Sequence, residues 1–281
     1  MKKFEEFIPD NSISTSEAYQ RTTRLAVCAH QDDVEFIAYK GILDCYDSDS
    51  DYFSAVVVTN GAGSPRAGKY ASCSDSDMVD IRYEEQKQAA RIGKYSVLDM
   101  LGYTSSEVKD PTNVNVPREL CAIISRCAPE IVYTHNIFDR HDTHTAVALR
   151  TIVAIKNMPK ELRPKKLLGG EMWRSLDWLP DEKKIIEPIP EDDGLAMRLM
   201  SVFDSQIAGG KNYAVAVDNR RVSNATLGAS HKVDSFKRCM YFLDMTPLIQ
   251  NDDLTVKEFM DGIMTSFTDE INKQISYIYR Q

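Results

Sequence analysis

Several things are missing from this chain, and each absence excludes something. No apolar run approaches the roughly 18 residues that a bilayer-crossing helix needs, so no membrane span is expected. There is no basic excess: the formal net charge is −8 and the sequence pI about 5.2. The basic clusters, Arg163 to Lys166, Lys183–Lys184 and Arg220–Arg221, are short and read as solvated edges, so no nucleic-acid partner is expected. None of the six cysteines forms a C-x-x-C pair, which removes zinc-ribbon and dithiol redox chemistry. Cys28 lies inside an apolar run and reads as a small core residue. Glu5 and Glu6 stand where a secretory leader would carry its apolar stretch, so a cytoplasmic protein without disulfides is expected. Gly61-Ala62-Gly63 is not a dinucleotide fingerprint, and Asp47 to Asp51 lacks the glycine and closing glutamate of a calcium loop.

What is present is an alternation of short buried strands with helices. Leu25 to Ala29, Ala55 to Thr59, Val97 to Gly102, Ile131 to Thr134 and Leu167 to Met172 are apolar runs typical of parallel strands. Helices are predicted over Phe36 to Cys45, Asp80 to Gly93 with Asp80 as N-cap, Arg118 to Cys127, Asp142 to Lys156 and Leu195 to Ile207. The first two dozen residues read as an extended arm, and Tyr213 to Val217 as a strand. A final helix carries Val256, Phe259, Met260, Ile263, Met264 and Phe267 on one face. Such alternation predicts an α/β fold, a Rossmann-like three-layer arrangement with a mostly parallel sheet and C-terminal additions. With no internal repeat or linker, residues 1–281 are expected to form a single domain, with a core of about 24–206 and an extension of about 207–281.

Histidine is scarce, and its placement is therefore informative. Four of the five histidines fall in two segments, His30-Gln31-Asp32-Asp33-Val34-Glu35 and His135 to His144, each directly after a predicted strand. Ligands of open α/β sheets bind outside the carboxyl ends of the strands, so the two segments are expected on one edge. His30 and Asp33 are three residues apart, within reach of one metal at a strand-to-helix turn, and His141 and His144 share that spacing at a helix start. Asp32 or His141 could then do proton work on a bound water. His231 stands apart and reads as structural or surface.

These residues resemble a known family. Ala29-His-Gln-Asp-Asp-Val-Glu35 is similar to the A-H-P-D-D motif of PIG-L/LmbE N-acetylglucosaminyl deacetylases. Thr59-Asn-Gly61, Arg82-x-x-Glu85 with Ala89, Ala90 and Gly93, His141-x-x-His144 and Ser205-Gln206 resemble further segments of that family, over roughly residues 24 to 206. The departures are Gln31 in place of proline, a single Gly41 for a glycine-rich stretch, Thr143 before His144, and Tyr103-Thr104 where many members carry an aspartate. The resemblance implies a zinc-dependent amide hydrolase, with His30, Asp33 and His144 as metal ligands. It implies Asp32 as general base, His141 as oxyanion stabiliser or proton donor to the leaving amine, and Arg82 as a substrate-orienting group. Iron, cobalt or nickel would suit the same donors.

The expected partner is a small N-acetylated sugar or conjugate. A metal-dependent phosphoesterase and a non-catalytic metal-retaining binding protein are the competing readings. The Trp173 to Trp178 segment holds both tryptophans and suits either sugar stacking or core packing. The long C-terminal helix could pack on its own domain or on a partner, so a homo-oligomer is compatible with the sequence.

Overall fold

A computed structural model describes residues 3–191, 194–228 and 231–279. In chain order the elements are β1 (Glu5–Phe7), α1 (Thr15–Gln20), β2 (Arg24–Cys28), α2 (Asp33–Ile37), α3 (Tyr39–Tyr46), β3 (Phe53–Thr59), α4 (Asp75–Ile92), β4 (Leu98–Tyr103), α5 (Ser105–Lys109) and α6 (Asn115–Cys127). There follow β5 (Ile131–His135), α7 (Asp142–Lys156), β6 (Lys166–Gly170), β7 (Lys184–Ile189), α8 (Gly194–Met200), α9 (Asp204–Ile207), α10 (Tyr213–Leu227), β8 (Arg238–Asp244), α11 (Thr246–Gln250) and α12 (Val256–Ile278). Short 3₁₀ turns lie between some of them.

The strands form one sheet in the order β1-β4-β3-β2-β5-β6-β8-β7. The five central strands are parallel, and β1, β8 and β7 join antiparallel at the two ends. Alternate residues of the central strands feed opposite faces. Leu25 and Val27 enter one apolar cluster, Ala26 and Cys28 the other, and both clusters are covered by helices. The chain winds outward from β2 to β4, then returns to place β5 against the other side of β2. That reversal opens a crevice between the carboxyl ends of β2 and β5, the usual ligand position in such sheets.

The mostly parallel α/β architecture expected from the alternation is present. Where elements differ from expectation, the cause is visible. The N-terminal arm is ordered as β1 on β4 and as α1, which Ser14 caps by accepting the Glu17 N–H. α4 begins at Asp75 rather than Asp80, because Ser74 and Asp77 form a reciprocal capping box. Tyr213 to Val217 is not a strand but the start of α10. Its Tyr-Ala-Val-Ala-Val alternation mimics a strand, and two of its inward positions are the polar Arg221 and Asn224, which hides the helical period from an apolar count. β7 and β8 were not expected, and Pro188 in β7 is tolerated because that strand lies at the sheet edge. His231 is exposed. Among the described residues no helix is long and apolar enough to cross a membrane.

Candidate active site at the β2–β5 crevice

The turn after β2 is tied down from both neighbouring strands. Ala29 N–H donates to His135 Nε2 (2.9 Å), and Ala29 O accepts the Thr59 hydroxyl (2.7 Å). Asp32 follows with φ 91° and ψ −31°, in the left-handed region that costs a non-glycine residue roughly 1–3 kcal/mol. Asp33 then opens α2, and its Oδ2 accepts the His30 backbone N–H at 2.7 Å. Gln31 occupies the position a proline would stiffen, and does so through its side chain: Nε2 donates to Thr59 O at 3.1 Å. The amide lies beneath Gly61, whose φ is +71° and whose absent Cβ would fall 2.4 Å from Gln31 Oε1.

The turn after β5 delivers the other imidazoles. His141 is the N-cap of α7, its Nδ1 accepting the Thr143 N–H at 3.2 Å, so Nε2 carries the proton of the neutral ring. His144 lies one turn later on the same helix. It is stacked between His135 (ring centroids 3.9 Å) and His141 (4.5 Å).

The two turns bring three acceptor atoms together. His30 Nδ1 lies 3.1 Å from His144 Nε2 and 3.2 Å from Asp33 Oδ2, and His144 Nε2 lies 3.4 Å from Asp33 Oδ2. Two imidazole lone pairs and a carboxylate oxygen facing one another require a cation or proton between them. A tetrahedral metal with bonds of about 2.0–2.2 Å sets neighbouring ligands about 3.3–3.6 Å apart, and the observed 3.1–3.4 Å lies at and just below that spacing. His141 adds a ring atom within 4.8 Å of His30 and His144, and His135 one within the same distance of Asp33 and His144. His135 Nε2 is already engaged by the Ala29 N–H, which makes it a support rather than a free donor.

Electrostatics separates the carboxylates. Burial pushes Asp32 up to about 6, against the pull of the Arg82 guanidinium 3.2 Å from its Oδ2. Burial would raise Asp33 too, but the His144, His135 and His30 rings hold it well below the usual range. His141 is lowered by burial and by the neighbouring His144 and His30 charges. His144 is raised in spite of burial, by Asp33 and Asp139.

All six residues singled out in the sequence (His30, Asp32, Asp33, Arg82, His141 and His144) line one cleft of ≈ 510 Å³. Arg82 forms part of its wall, and its Nη donors are engaged: Nη2 with Gln31 O and Asp32, Nη1 near Glu85 and Ser205 (both 3.5 Å). Ser205 is set by Glu85, whose two oxygens accept its N–H and hydroxyl at 2.7 Å each. The rest of the cleft is formed by the Gly61 to Pro65 loop, Thr104 to Ser106, Met172, Trp173, Gln206, Lys211 and Tyr213. The tryptophans divide: Trp173 faces the cleft with Tyr213 at 6.2 Å between centroids, while Trp178 packs against Phe138 and Phe267.

Two supporting residues carried no role in the sequence reading. Asp139, whose side chain is inaccessible to solvent, accepts the His141 N–H (2.9 Å) and the Trp173 N–H (3.1 Å), and lies 3.6 Å from His144 Nδ1. Gln86 accepts the Asp32 N–H at 3.1 Å. The signal for Asp139 was its place inside the second histidine segment; Gln86 gave none, because its contact spans 54 residues.

The open, doubly wound sheet holds a His/Asp cluster at its switch point, where such sheets bind ligands. The family model PIG-L, described as GlcNAc-PI de-N-acetylase, matches residues 25–155, the span holding both histidine segments. The resemblance read from the motifs is the one that the family model recovers. The uncharacterized deacetylase YaiS of Escherichia coli (strain K12) is 26% identical over 207 residues, 65% of this chain and 90% of the relative. In fold, the chain is similar to N,N'-diacetylchitobiose deacetylase from Pyrococcus horikoshii (TM-score 0.64, 15% identity, 84% of this chain and 88% of that one). It is also similar to the 4-carboxy-2-hydroxymuconate hydratase from Pseudomonas putida KT2440 (TM-score 0.56, 16% identity, 80% and 96%). One fold thus carries an amide hydrolase and a hydratase, so the reaction has to be argued from the site.

Proposed function

We propose that this protein is a metal-dependent amide hydrolase that removes the acetyl group from an N-acetylated amino sugar or its conjugate. The observation that carries the reading is the triad of His30 Nδ1, Asp33 Oδ2 and His144 Nε2, mutually 3.1–3.4 Å apart at the base of a cleft shared with Asp32 and His141. Those three residues would hold the ion, and zinc suits the two-imidazole, one-carboxylate set. When bound, zinc would supply Lewis-acid polarisation of the acetyl carbonyl and a lowered water pKa.

The chain's own groups divide the remaining work. Asp32, raised by burial and held by Arg82, takes the proton from the attacking water. His141, with its proton on Nε2, donates to the developing oxyanion or to the departing amine. Arg82 orients the substrate through Asp32, since its Nη donors are spent on Gln31, Asp32, Glu85 and Ser205. Trp173 and Tyr213 offer an apolar wall on which a sugar face stacks. A phosphoesterase of the two-metal type needs bridging carboxylates for a second ion. Among the described residues, the two potential ligand groups share His144 and so form one position, which favours the single-ion amide hydrolase. The reading includes a cytoplasmic location and a small-molecule partner.

The test is acetate release from a panel of N-acetyl sugars by the metal-loaded protein. Release that stops with Asp32→Asn while metal stays bound supports the reading. An Asp32→Asn variant as active as the wild type would remove the proposed base.

A further inference from the structure

Asp32 is left-handed at the third position of a His30–Asp33 turn, in which the Asp33 N–H donates to His30 O at 3.3 Å. No side-chain capping bond is made at that position, and Gln31 leaves the turn without a ring constraint. A long-range restraint comes from α4. The peptide unit joining Gln31 to Asp32 has one carbonyl and one N–H, and α4 grips both: Arg82 Nη2 donates to Gln31 O, and Gln86 Oε1 accepts the Asp32 N–H at 3.1 Å. Residues 82 and 86 are one helical turn apart, so both side chains leave the same face of α4. The Gln86 amide has a fixed direction, because its Nε2 donates to Glu35 Oε1 at 2.8 Å, and that oxygen also accepts the Tyr95 hydroxyl at 2.6 Å. Gln86, Glu35 and Tyr95 are fully or almost fully buried, so water does not compete for these bonds.

We infer that Gln86, oriented by Glu35 and Tyr95, is a positioning residue: with Arg82 it clamps the Gln31–Asp32 peptide and thereby fixes the Asp32 carboxylate for its proton transfer. The inference rests on the deacetylase reading for its consequence in turnover, and on geometry alone for the clamp. Without the acceptor at 86, the peptide keeps only the Arg82 bond and the His30–Asp33 turn bond, and it can tilt far enough to shift the carboxylate from its place in the cleft. A misplacement of about 1 Å at a reacting group costs on the order of 10²-fold in rate.

Gln86→Met keeps the size of the side chain and removes both hydrogen bonds. It is expected to lower kcat by about 10- to 100-fold, with KM within about twofold and bound metal unchanged. Because Gln86 acts through Asp32, the same change made in an Asp32→Asn background is expected to add almost nothing, whereas a general weakening of the fold would add its full effect in either background. Independently of turnover, the Asp32 amide hydrogen, slow to exchange in the wild type, is expected to exchange faster in Gln86→Met, with α7 amides unchanged. Full activity in Gln86→Met, additive losses in the double variant, or an Asp32 amide that exchanges equally in both proteins would overturn the clamp. A wild-type protein that releases acetate from no substrate would strike the deacetylase reading instead, and amide exchange would then decide the clamp by itself.

Discussion

The two strand-to-helix turns that meet at the crevice differ in strain and exposure. After β2 the turn is buried and strained: Asp32 and Asp33 are 5% and 1% exposed, Asp32 is left-handed, and bonds to β3, β5 and α4 hold every step. After β5 the turn combines its own short-range bonds with long-range ones from Asn136 to Gly170 O (2.7 Å) and from the Trp173 N–H to Asp139 (3.1 Å). Asn136 Oδ1 accepts the Phe138 N–H at 3.0 Å, Asp139 Oδ1 the His141 N–H at 2.9 Å, and His141 is 38% exposed in its side chain. The carboxylate side is therefore preorganised by distant parts of the fold, while the histidine side keeps one ring at the cleft surface where it can meet a substrate. Preorganised polar groups suit charge stabilisation and proton abstraction, because little reorganisation remains for the reaction itself.

Breaking the contact between the turns should have the largest effect. Asp33→Ala or His144→Ala is expected to lose both bound metal and measurable turnover, read by elemental analysis and acetate assay; full metal retention would refute the ligand assignment. Next comes the strained side alone. Asp32→Asn should keep the metal and lower kcat by about 10³-fold, within the 10²–10⁴ range of general acid–base catalysis. On the relaxed side, His141→Ala should also keep the metal and lower kcat by about 10²-fold. If the His141 loss equalled or exceeded that of Asp32, the proposed division of labour between the turns would be reversed. Trp173→Ala should mainly raise KM, by about 5- to 10-fold for one stacked ring worth roughly 1 kcal/mol. A kcat loss without a KM change would place Trp173 in the chemistry rather than in binding.

The smallest effect sharpens the comparison through stability. Glu35 lies beneath the β2 turn, and burial pushes it up to about 8 from 4.5, despite the hydrogen bonds from Tyr95 and Gln86. Asp99 is likewise raised by burial, to about 7. A carboxyl whose folded-state value is raised contributes stability fully below its unfolded value and loses it as pH rises through the folded one. Thermal stability should therefore decline between about pH 4.5 and 8, and Glu35→Gln should flatten part of that decline. Hydrogen exchange at pH 8–9 should rise first around the β2 turn and leave the first turn of α7 protected. Equal loosening of both turns would mean that the buried carboxyl beneath β2 is not the weak point.

The same contrast explains what could be read in the sequence. The five central strands announce themselves because both their faces are buried and their runs are largely apolar, as in Leu25 to Ala29 and Ala55 to Thr59. The site residues were legible because His30, Asp33, His141 and His144 sit at short spacings just past strand ends, where chain order maps directly onto space. β8, although apolar, lies between antiparallel neighbours with no crossover helix to mark it, and Tyr213 to Val217 imitated a strand because Arg221 and Asn224 face inward in α10. The supports escaped for a related reason. The bonds of Gln86 to Asp32 and of Arg82 to Gln31 join residues more than 50 positions apart, and polar residues on a helix face carry no period that points to a partner.

The most direct test of the account combines metal content with acetate release on the purified protein, across N-acetyl sugars and before and after chelation. The account predicts about one zinc-type ion per chain and acetate release that chelation abolishes and metal restores. Protein that binds no metal after zinc reconstitution, with His30, Asp33 and His144 intact, would contradict it.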